Sequence, residues 1–290
     1  MVHRVGVAAL LLIFVGCVSS LVMSSSTAAG APSHRSCPPL MLRLPLVSPN
    51  GSIPHHSTNS ITTTAEHAAV VCIDIYESSV EVPVSVAAAG REASSWQLHP
   101  FNVPLDNVPV YRAVSSGGTA KPQGYISQVQ SSLACANSGK RLCSLDEWLA
   151  GCRGVDPNSG GGTVYPYGNH YKPGWCNTGR AENPIIELFG PDATFNWTEM
   201  NDPRVDLLND TVSFGGAFPR CTNANVSVFD MSGNLDEWVA TVVPATGHGI
   251  FKGGYFVDSR INGHGCLYET TAHATWYHDY SLGFRCCVSI

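Results

Sequence analysis

The cysteines constrain this chain more than any other feature of its sequence. Of the eleven cysteines, Cys17 lies in an apolar N-terminal stretch and the other ten are spread over the rest of the chain. An even number of cysteines in an exported chain predicts a disulfide framework. A zinc site would need closely spaced pairs in two matching sets, which the spacing does not provide. The ten are Cys37, Cys72, Cys135, Cys143, Cys152, Cys176, Cys221, Cys266, Cys286 and Cys287.

The N-terminus indicates export. The basic residues His3 and Arg4 precede an apolar stretch over 5–23, and small residues fill most of 24–31. This order predicts a signal peptide over residues 1–30 that is cleaved near its small-residue end. Two alternatives stay open, because the stretch is long enough for an uncleaved membrane anchor and because the residues before Cys17 distantly resemble a lipoprotein cleavage site. We expect a secreted or extracytoplasmic protein that meets a membrane only by one of these two routes.

The composition is that of a folded protein without a nucleic-acid partner. The 290 residues are 44% hydrophobic and 13% charged, which is enough apolar surface for a core. The net charge of -6 leaves no basic stripe to neutralise phosphates. The sequence also lacks the glycine-rich phosphate loop, the Gly-x-Ser-x-Gly elbow and the His-Glu-x-x-His zinc motif.

The chain divides into a Ser/Thr/Pro-rich segment over 31–65 and a larger domain over 66–290, whose start lies as early as residue 36 if the first strand belongs to it. An apolar run after Cys37 predicts that first strand, and residues 48–64 are predicted to form a loop. Alternation over 69–76 predicts a second strand. These two strands are predicted to begin a domain that contains both strands and helices.

Two helices are predicted in the middle of the chain. The first spans 127–137, with Val129, Leu133 and Ala136 on one face and Gly139 as the stop. The second follows Ser144, which forms a Ser-x-x-Glu capping box with Glu147. The later sequence is rich in Gly, Pro, Asn and Asp and predicts long ordered loops. Four sequons would carry glycans in a eukaryotic secretory pathway: Asn50, Asn196, Asn209 and Asn225.

Five motifs occur in an order that resembles one known family. They are GKRLCSLDEWLAGCRG over 139–154, YPYGN over 165–169, DMSGNLDEW over 230–238, KGG over 252–254 and LGFRC over 282–286. Together they resemble the formylglycine-generating, or sulfatase-modifying-factor, family. The resemblance implies an α+β domain of low regular content, a variant of the C-type-lectin-like fold with two helices, short strands and long disulfide-tied loops.

The resemblance also implies two disulfides, Cys135–Cys286 and Cys152–Cys266, and leaves the pairing of the other six cysteines open. The family's oxygen-dependent enzymes use two cysteines five residues apart after the double glycine, and these thiolates bind copper. Asp258 and Gly263 occupy the matching positions here. Neither residue is a soft ligand, so we expect that copper does not bind and that formylglycine-generating activity is absent.

Calcium is the ion that the resemblance implies. One family site matches the carboxylates of Asp230 and Glu237 with the carbonyls of Gly233 and Leu235, which are the oxygen ligands that calcium prefers. The alternative is an ordinary turn that leads into a strand. A second site matches the side chain of Asn177 and the carbonyl of Thr178, and its other ligands would lie in the segment 181–216.

Two functions remain open at this stage. The first is a calcium-stabilised, non-catalytic module that binds a protein or glycan through its loops. Its candidate contacts are loop aromatics, which are more often core residues: Trp175, Phe195, Trp197, Trp276 and Tyr277.

The second function is a formylglycine-generating or other metal-dependent oxidoreductase, acting on a protein or a small molecule. Four histidines and three acids near the C-terminus are candidate metal ligands, against the alternative that these histidines hydrogen-bond the backbone. The residues are His248, His264, His273, His278, Asp258, Glu269 and Asp279.

Overall fold

The computed structural model describes residues 36–45, 70–85, 95–154, 161–223 and 226–290. The described residues belong to one compact unit, Ser36–Ile290. The predicted signal peptide, Cys17, the predicted loop over 48–64 and the sequons at Asn50 and Asn225 lie outside them. Within the described ranges, no helix has the length and apolar character that a membrane span requires.

Short strands form three sheets in the described part of the chain. The first has the order β1-β2-β11-β6, the second β10-β7-β8-β9 and the third β4-β3-β5. The strands are β1 Met41–Pro45, β2 Val70–Asp74, β3 Ser78–Pro83, β4 Trp96–Leu98, β5 Arg112–Ser115, β6 Arg141–Leu142, β7 Asp236–Val242, β8 Gly249–Lys252, β9 Glu269–Thr270, β10 Leu282–Phe284 and β11 Cys286–Ser289.

The first sheet joins both ends of the described chain. Strand β2 pairs in antiparallel fashion with β1 on one side and with β11 on the other. Both strands that the N-terminal sequence predicts are therefore present. Because β1 pairs along its whole length with β2, the residues after Cys37 fold together with the rest of the domain.

The two predicted helices are present, and the second begins after the predicted capping residue Ser144. Helix α1 spans Gln128–Asn137 after Ser127, and α2 spans Leu145–Arg153 after Ser144. Each start is a full capping box, in which the serine side chain and the side chain three residues later satisfy backbone N–H groups at the first turn. Gly154 ends α2 in the left-handed conformation, with φ of 76°.

The structure adds two short helices that the sequence analysis did not predict. They are α3 Pro184–Phe189 and α4 Trp197–Met200. An asparagine side chain caps each one, Asn183 for α3 and Asn196 for α4. With six and four residues, they are too short to show a helical period, so the caps were the available signal.

The apolar face predicted for α1 is exposed and does not pack on the core. Val129 is 56% exposed and Leu133 is 46% exposed, and Ala136 is exposed as well. The buried residues of α1 are Gln128, Ser131, Ala134 and Cys135. The buried Gln128 amide donates to the backbone carbonyls of Val239 and Thr241 in β7, an inner strand of the second sheet. Side-chain hydrogen bonds and a disulfide thus orient this helix in place of an apolar face.

Five disulfides connect all ten cysteines of the described chain. Cys135–Cys286 and Cys152–Cys266 are paired as the family resemblance implies. The pairs that the sequence left open are Cys37–Cys72, Cys143–Cys287 and Cys176–Cys221. Successive side chains of a strand point to opposite faces, so adjacent Cys286 and Cys287 reach α1 on one side and the segment before α2 on the other.

Candidate functional site

A buried charge cluster lies where the DMSGN turn meets the C-terminal strands. Arg285 is fully buried between β10 and β11, and its guanidinium contacts both carboxylate oxygens of Glu237 at 2.6 Å. It also donates to the carbonyls of Asp74 and Phe229. The Trp148 indole donates to Glu237 at 3.0 Å, which ties α2 to the same carboxylate. Glu237 is therefore held by hydrogen bonds on both oxygens.

The cluster holds more carboxyl groups than basic groups. Glu77, which the sequence analysis missed, is completely buried beside Asp230, Glu237 and Arg285. Burial, followed by repulsion from Asp230 and Glu237, raises the pKa of Glu77 well above its usual range. Burial raises the pKa of Asp230 to about 7, although the Gly216 N–H and Arg285 oppose the shift. One guanidinium thus faces three carboxyl groups.

Asn234 joins the two segments that are predicted to bind calcium. The Asn177 amide donates to the Asn234 side-chain oxygen at 2.8 Å, and the Asn234 N–H donates to the Asn177 carbonyl at 2.8 Å. The Asn234 amide in turn donates to Glu77. A side chain at Gly233, whose φ is +80°, would place Cβ 2.3 Å from the Asn177 carbonyl oxygen. Glycine is required here because the two segments touch.

The loop that contains Asp258 and Gly263, which the resemblance matches to the family's catalytic cysteines, has a geometry set by its backbone. The Asp258 carboxylate accepts hydrogen bonds from the backbone N–H groups of Arg260 and Ile261. Gly263 has φ of +110°, and an added Cβ would lie 2.4 Å from the Leu267 carbonyl oxygen. The position that matches the second catalytic cysteine therefore has no room for a side chain in this conformation.

The four C-terminal histidines make separate contacts. His248 bonds the Thr271 carbonyl at 3.1 Å and His264 bonds the Tyr165 hydroxyl at 3.0 Å. His273 stacks on Tyr277, and His278 pairs with Asp106 and Asn201. Over the residues that the structure describes, no three His, Cys, Asp or Glu side chains are grouped closely enough to hold a metal ion.

The loop aromatics occupy two places on the surface. Trp197 contacts Trp276 and Tyr277, with ring centroids 6.2 and 5.8 Å apart, and Phe195 is 43% exposed nearby in sequence. Trp175 lies elsewhere, edge-on to Tyr167 at 5.1 Å, in the wall of a cleft of about 340 Å³.

Two of the sequons lie in the described chain. Asn196 and Asn209 are both exposed, and Asn196 also caps α4 by accepting hydrogen bonds from the N–H groups of Thr198 and Glu199. Glycan attachment at these positions stays a prediction.

Asp206 is a second buried acid that the sequence analysis missed. It lies in the segment 181–216, is fully buried, and neither carboxylate oxygen has a hydrogen-bond partner among the described residues. Burial and then repulsion from Asp279 raise its pKa well above the usual range, while Lys121 opposes the shift. The only sequence signal was an aspartate between apolar residues.

Asp206 should make stability depend on pH. Because the raised pKa belongs to the folded state, the folded protein holds this proton to higher pH than the unfolded chain does. The free energy of unfolding should therefore fall as pH rises from about 4 towards the raised pKa. We expect Asp206→Asn to remove this loss, so that the variant gains stability relative to the wild type as pH rises to 8.

Urea unfolding of both proteins between pH 5 and pH 8 measures the difference. The matched control is Asp192→Asn, at an exposed position. If the Asp206→Asn and wild-type curves run parallel over this range, the carboxyl has a partner and the account of Asp206 is wrong.

The fold and the sites define a class of protein: an α+β domain of short strands and long loops tied by disulfides. A family profile described as "Sulfatase-modifying factor enzyme 1-like domain" matches residues 63–290, and the chain belongs to this family. No curated protein matches the chain significantly.

Two solved structures are similar in fold. The crystal structure of CarF has 14% sequence identity and a TM-score of 0.44, and the match covers 86% of this chain and 98% of CarF. PvdO from Pseudomonas aeruginosa has 15% identity and a TM-score of 0.40, and the match covers 81% of this chain and 100% of PvdO.

Proposed function

We propose that this protein is an exported, non-catalytic member of the family, in which calcium stabilises long loops that bind a protein or glycan ligand. The observation that carries the proposal is the cysteine pairing. All ten cysteines of the described chain are in disulfides. The family reaction needs thiolates that bind copper, and a disulfide supplies none. The same five bridges are typical of an oxidising, extracytoplasmic compartment.

The loop after Gly254 supports the proposal independently. Asp258 is a hard oxygen ligand whose carboxylate is engaged by backbone N–H groups. A cysteine at position 263 would need a different backbone, since its Cβ would meet the Leu267 carbonyl. Formylglycine-generating activity would therefore require a different loop conformation as well as two thiols.

Copper binding and substrate oxidation test the proposal. The secreted protein is titrated with Cu(I), and its oxidation of a cysteine-containing sulfatase peptide is measured under oxygen, with an active family oxidase as the positive control. We expect no stoichiometric copper uptake and no peptide aldehyde. Uptake of one copper per chain together with aldehyde formation would contradict the proposal.

The described residues fit calcium in part. The excess of buried carboxyl groups around Arg285 favours a cation, and Asp230 has one oxygen bonded to the Gly216 N–H. Glu237 fits less well, because Arg285 and Trp148 engage its carboxylate. At the second position, the Asn177 amide nitrogen donates to Thr211 and Asn234. Calcium binding at these residues stays a prediction, and its role would be structural.

Calcium removal should lower the melting temperature. With free calcium about 100-fold above Kd, binding to the folded state alone raises Tm by about 5–10 °C for a domain of this size. We expect this shift for the wild type when calcium replaces a chelator, and no shift for Asp230→Asn. Asp192→Asn, at an exposed position, is the control that should behave as the wild type.

Calorimetry in calcium, in magnesium and in chelator measures the shift. Magnesium should act more weakly, because it requires a tighter and more regular set of oxygens. Equal wild-type melting temperatures in calcium and in chelator would exclude a stabilising calcium ion.

A further inference from the structure

The residues on either side of one disulfide form the walls of an open cleft. The Cys176–Cys221 disulfide joins two loops and holds the Cα atoms of its two cysteines 4.7 Å apart. Trp175 on one loop therefore faces Arg220 on the other. The Arg220 guanidinium lies 5.3 Å from the centre of the Trp175 ring. A covalent bridge between their sequence neighbours thus fixes the spacing of an aromatic ring and a cation.

The cleft has the lining of a small binding site. Its volume is about 340 Å³, and a second hollow of about 240 Å³ shares Trp175 and Arg220 with it. This size is at the lower end for ligand pockets. Tyr167 lies beside Trp175 with its ring plane at 61° to the indole, and one face of its ring stacks on Tyr165. The Tyr167 hydroxyl accepts a hydrogen bond from the Lys172 N–H. The hydroxyl-bearing residues of the first hollow are Thr163, Tyr167 and Thr222.

The charge of this region is opposite to that of the whole protein. Neither hollow is lined by an aspartate or glutamate. Among the described residues Arg220 has no ion-pair partner, and its guanidinium lies over the Trp175 ring. Arg153 borders the cleft, since its guanidinium donates to the carbonyls of Gly162 and Thr163.

We propose that this cleft binds an acidic glycan, with a sugar ring packed against Tyr167 and Trp175 and its carboxylate or sulfate on Arg220. Aromatic faces carry negative charge and attract the C–H groups of a pyranose ring. Arg220 offers a planar set of N–H donors that matches a carboxylate or sulfate. The Thr163 and Thr222 hydroxyls donate to the carbonyls of Arg153 and Val228, so their oxygens can accept hydrogen bonds from sugar hydroxyls. This inference rests on the proposed binding function and names the ligand class.

Binding of defined oligosaccharides tests the inference. The probes are a hyaluronan hexasaccharide for carboxylates, a chondroitin sulfate hexasaccharide for sulfates, and chitohexaose as the neutral reference, each titrated by calorimetry. We expect at least one acidic hexasaccharide to bind at least tenfold more tightly than chitohexaose. Its affinity should fall as salt rises, because an exposed charge contact is screened.

Two variants locate the site. Arg220→Gln should weaken the acidic ligand by about 10- to 100-fold and leave chitohexaose unchanged, since it removes a charged hydrogen bond. Trp175→Ala should weaken both. The controls are Arg204→Gln and Trp96→Ala, which alter an exposed cation near Phe189 and a tryptophan that carries the Arg112 guanidinium on its ring, away from the candidate contacts.

Three results would overturn the inference: no binding of any acidic hexasaccharide at millimolar concentration, equal affinity for chitohexaose, or unchanged affinity after Arg220→Gln. Tight binding of an acidic peptide in place of the glycans would also overturn it. All of these leave the proposed function intact, because copper uptake and peptide oxidation are measured separately.

Discussion

Replacing Arg285 by methionine is expected to lower the free energy of unfolding by about 3–5 kcal/mol. The change leaves the Glu237 carboxylate buried without its charge partner, and it removes donors from the carbonyls of Asp74 and Phe229. Removing one partner of a buried pair costs much more than replacing both, since the remaining charge is neither solvated nor neutralised. Urea unfolding at pH 7 measures the loss.

The control for Arg285 is Arg204→Met. Arg204 pairs with Asp202 at 2.7 Å, but its side chain is 64% exposed. Water solvates both partners after the change, so we expect little effect on stability. If Arg285→Met is no more destabilising than Arg204→Met, the buried cluster does not contribute as described.

Removing the Cys135–Cys286 disulfide by two serine substitutions is expected to cost about 5 kcal/mol. The bridge spans a sequence separation of 151 and restricts most of the unfolded chain. It also joins α1, whose exposed apolar residues show that packing alone does not hold it, to the C-terminal strand. Denaturant unfolding under non-reducing conditions measures this loss.

The Cys37–Cys72 pair provides the matched control. Its sequence separation is 35, so the same substitutions should cost about 4 kcal/mol, less than for Cys135–Cys286. Peptide mapping must show that the other four bridges are intact in each variant. Loss of less than 1 kcal/mol for Cys135–Cys286 would mean that the bridge adds little beyond native packing.

Local signals in the sequence predicted local structure well. The Ser-x-x-Glu capping box at Ser144 predicted the start of α2, because a cap depends on residues within one turn. The buried side of α1 could not be predicted, because it depends on residues distant in the sequence. Gln128 is buried through bonds to Val239 and Thr241, more than a hundred residues away, and periodicity carries no information about them.

The only candidate site residues that could be predicted from the sequence are those that match a family motif. The family motif led to Asp230, Glu237 and the two disulfides at Cys135 and Cys152. Glu77 and Asp206 were missed, since an acid in an apolar segment becomes informative only when the fold shows it buried. The Cys176–Cys221 pair, and with it the cleft, depends on how two long loops meet.

A thiol count by mass spectrometry tests the central claim most directly. The secreted protein is denatured and alkylated with and without reductant, before and after incubation with Cu(I), and its disulfides are mapped. We predict no alkylation of the mature chain without reductant and the five bridges described above. Two unpaired cysteines that copper protects from alkylation would contradict a non-catalytic function and identify an oxidase.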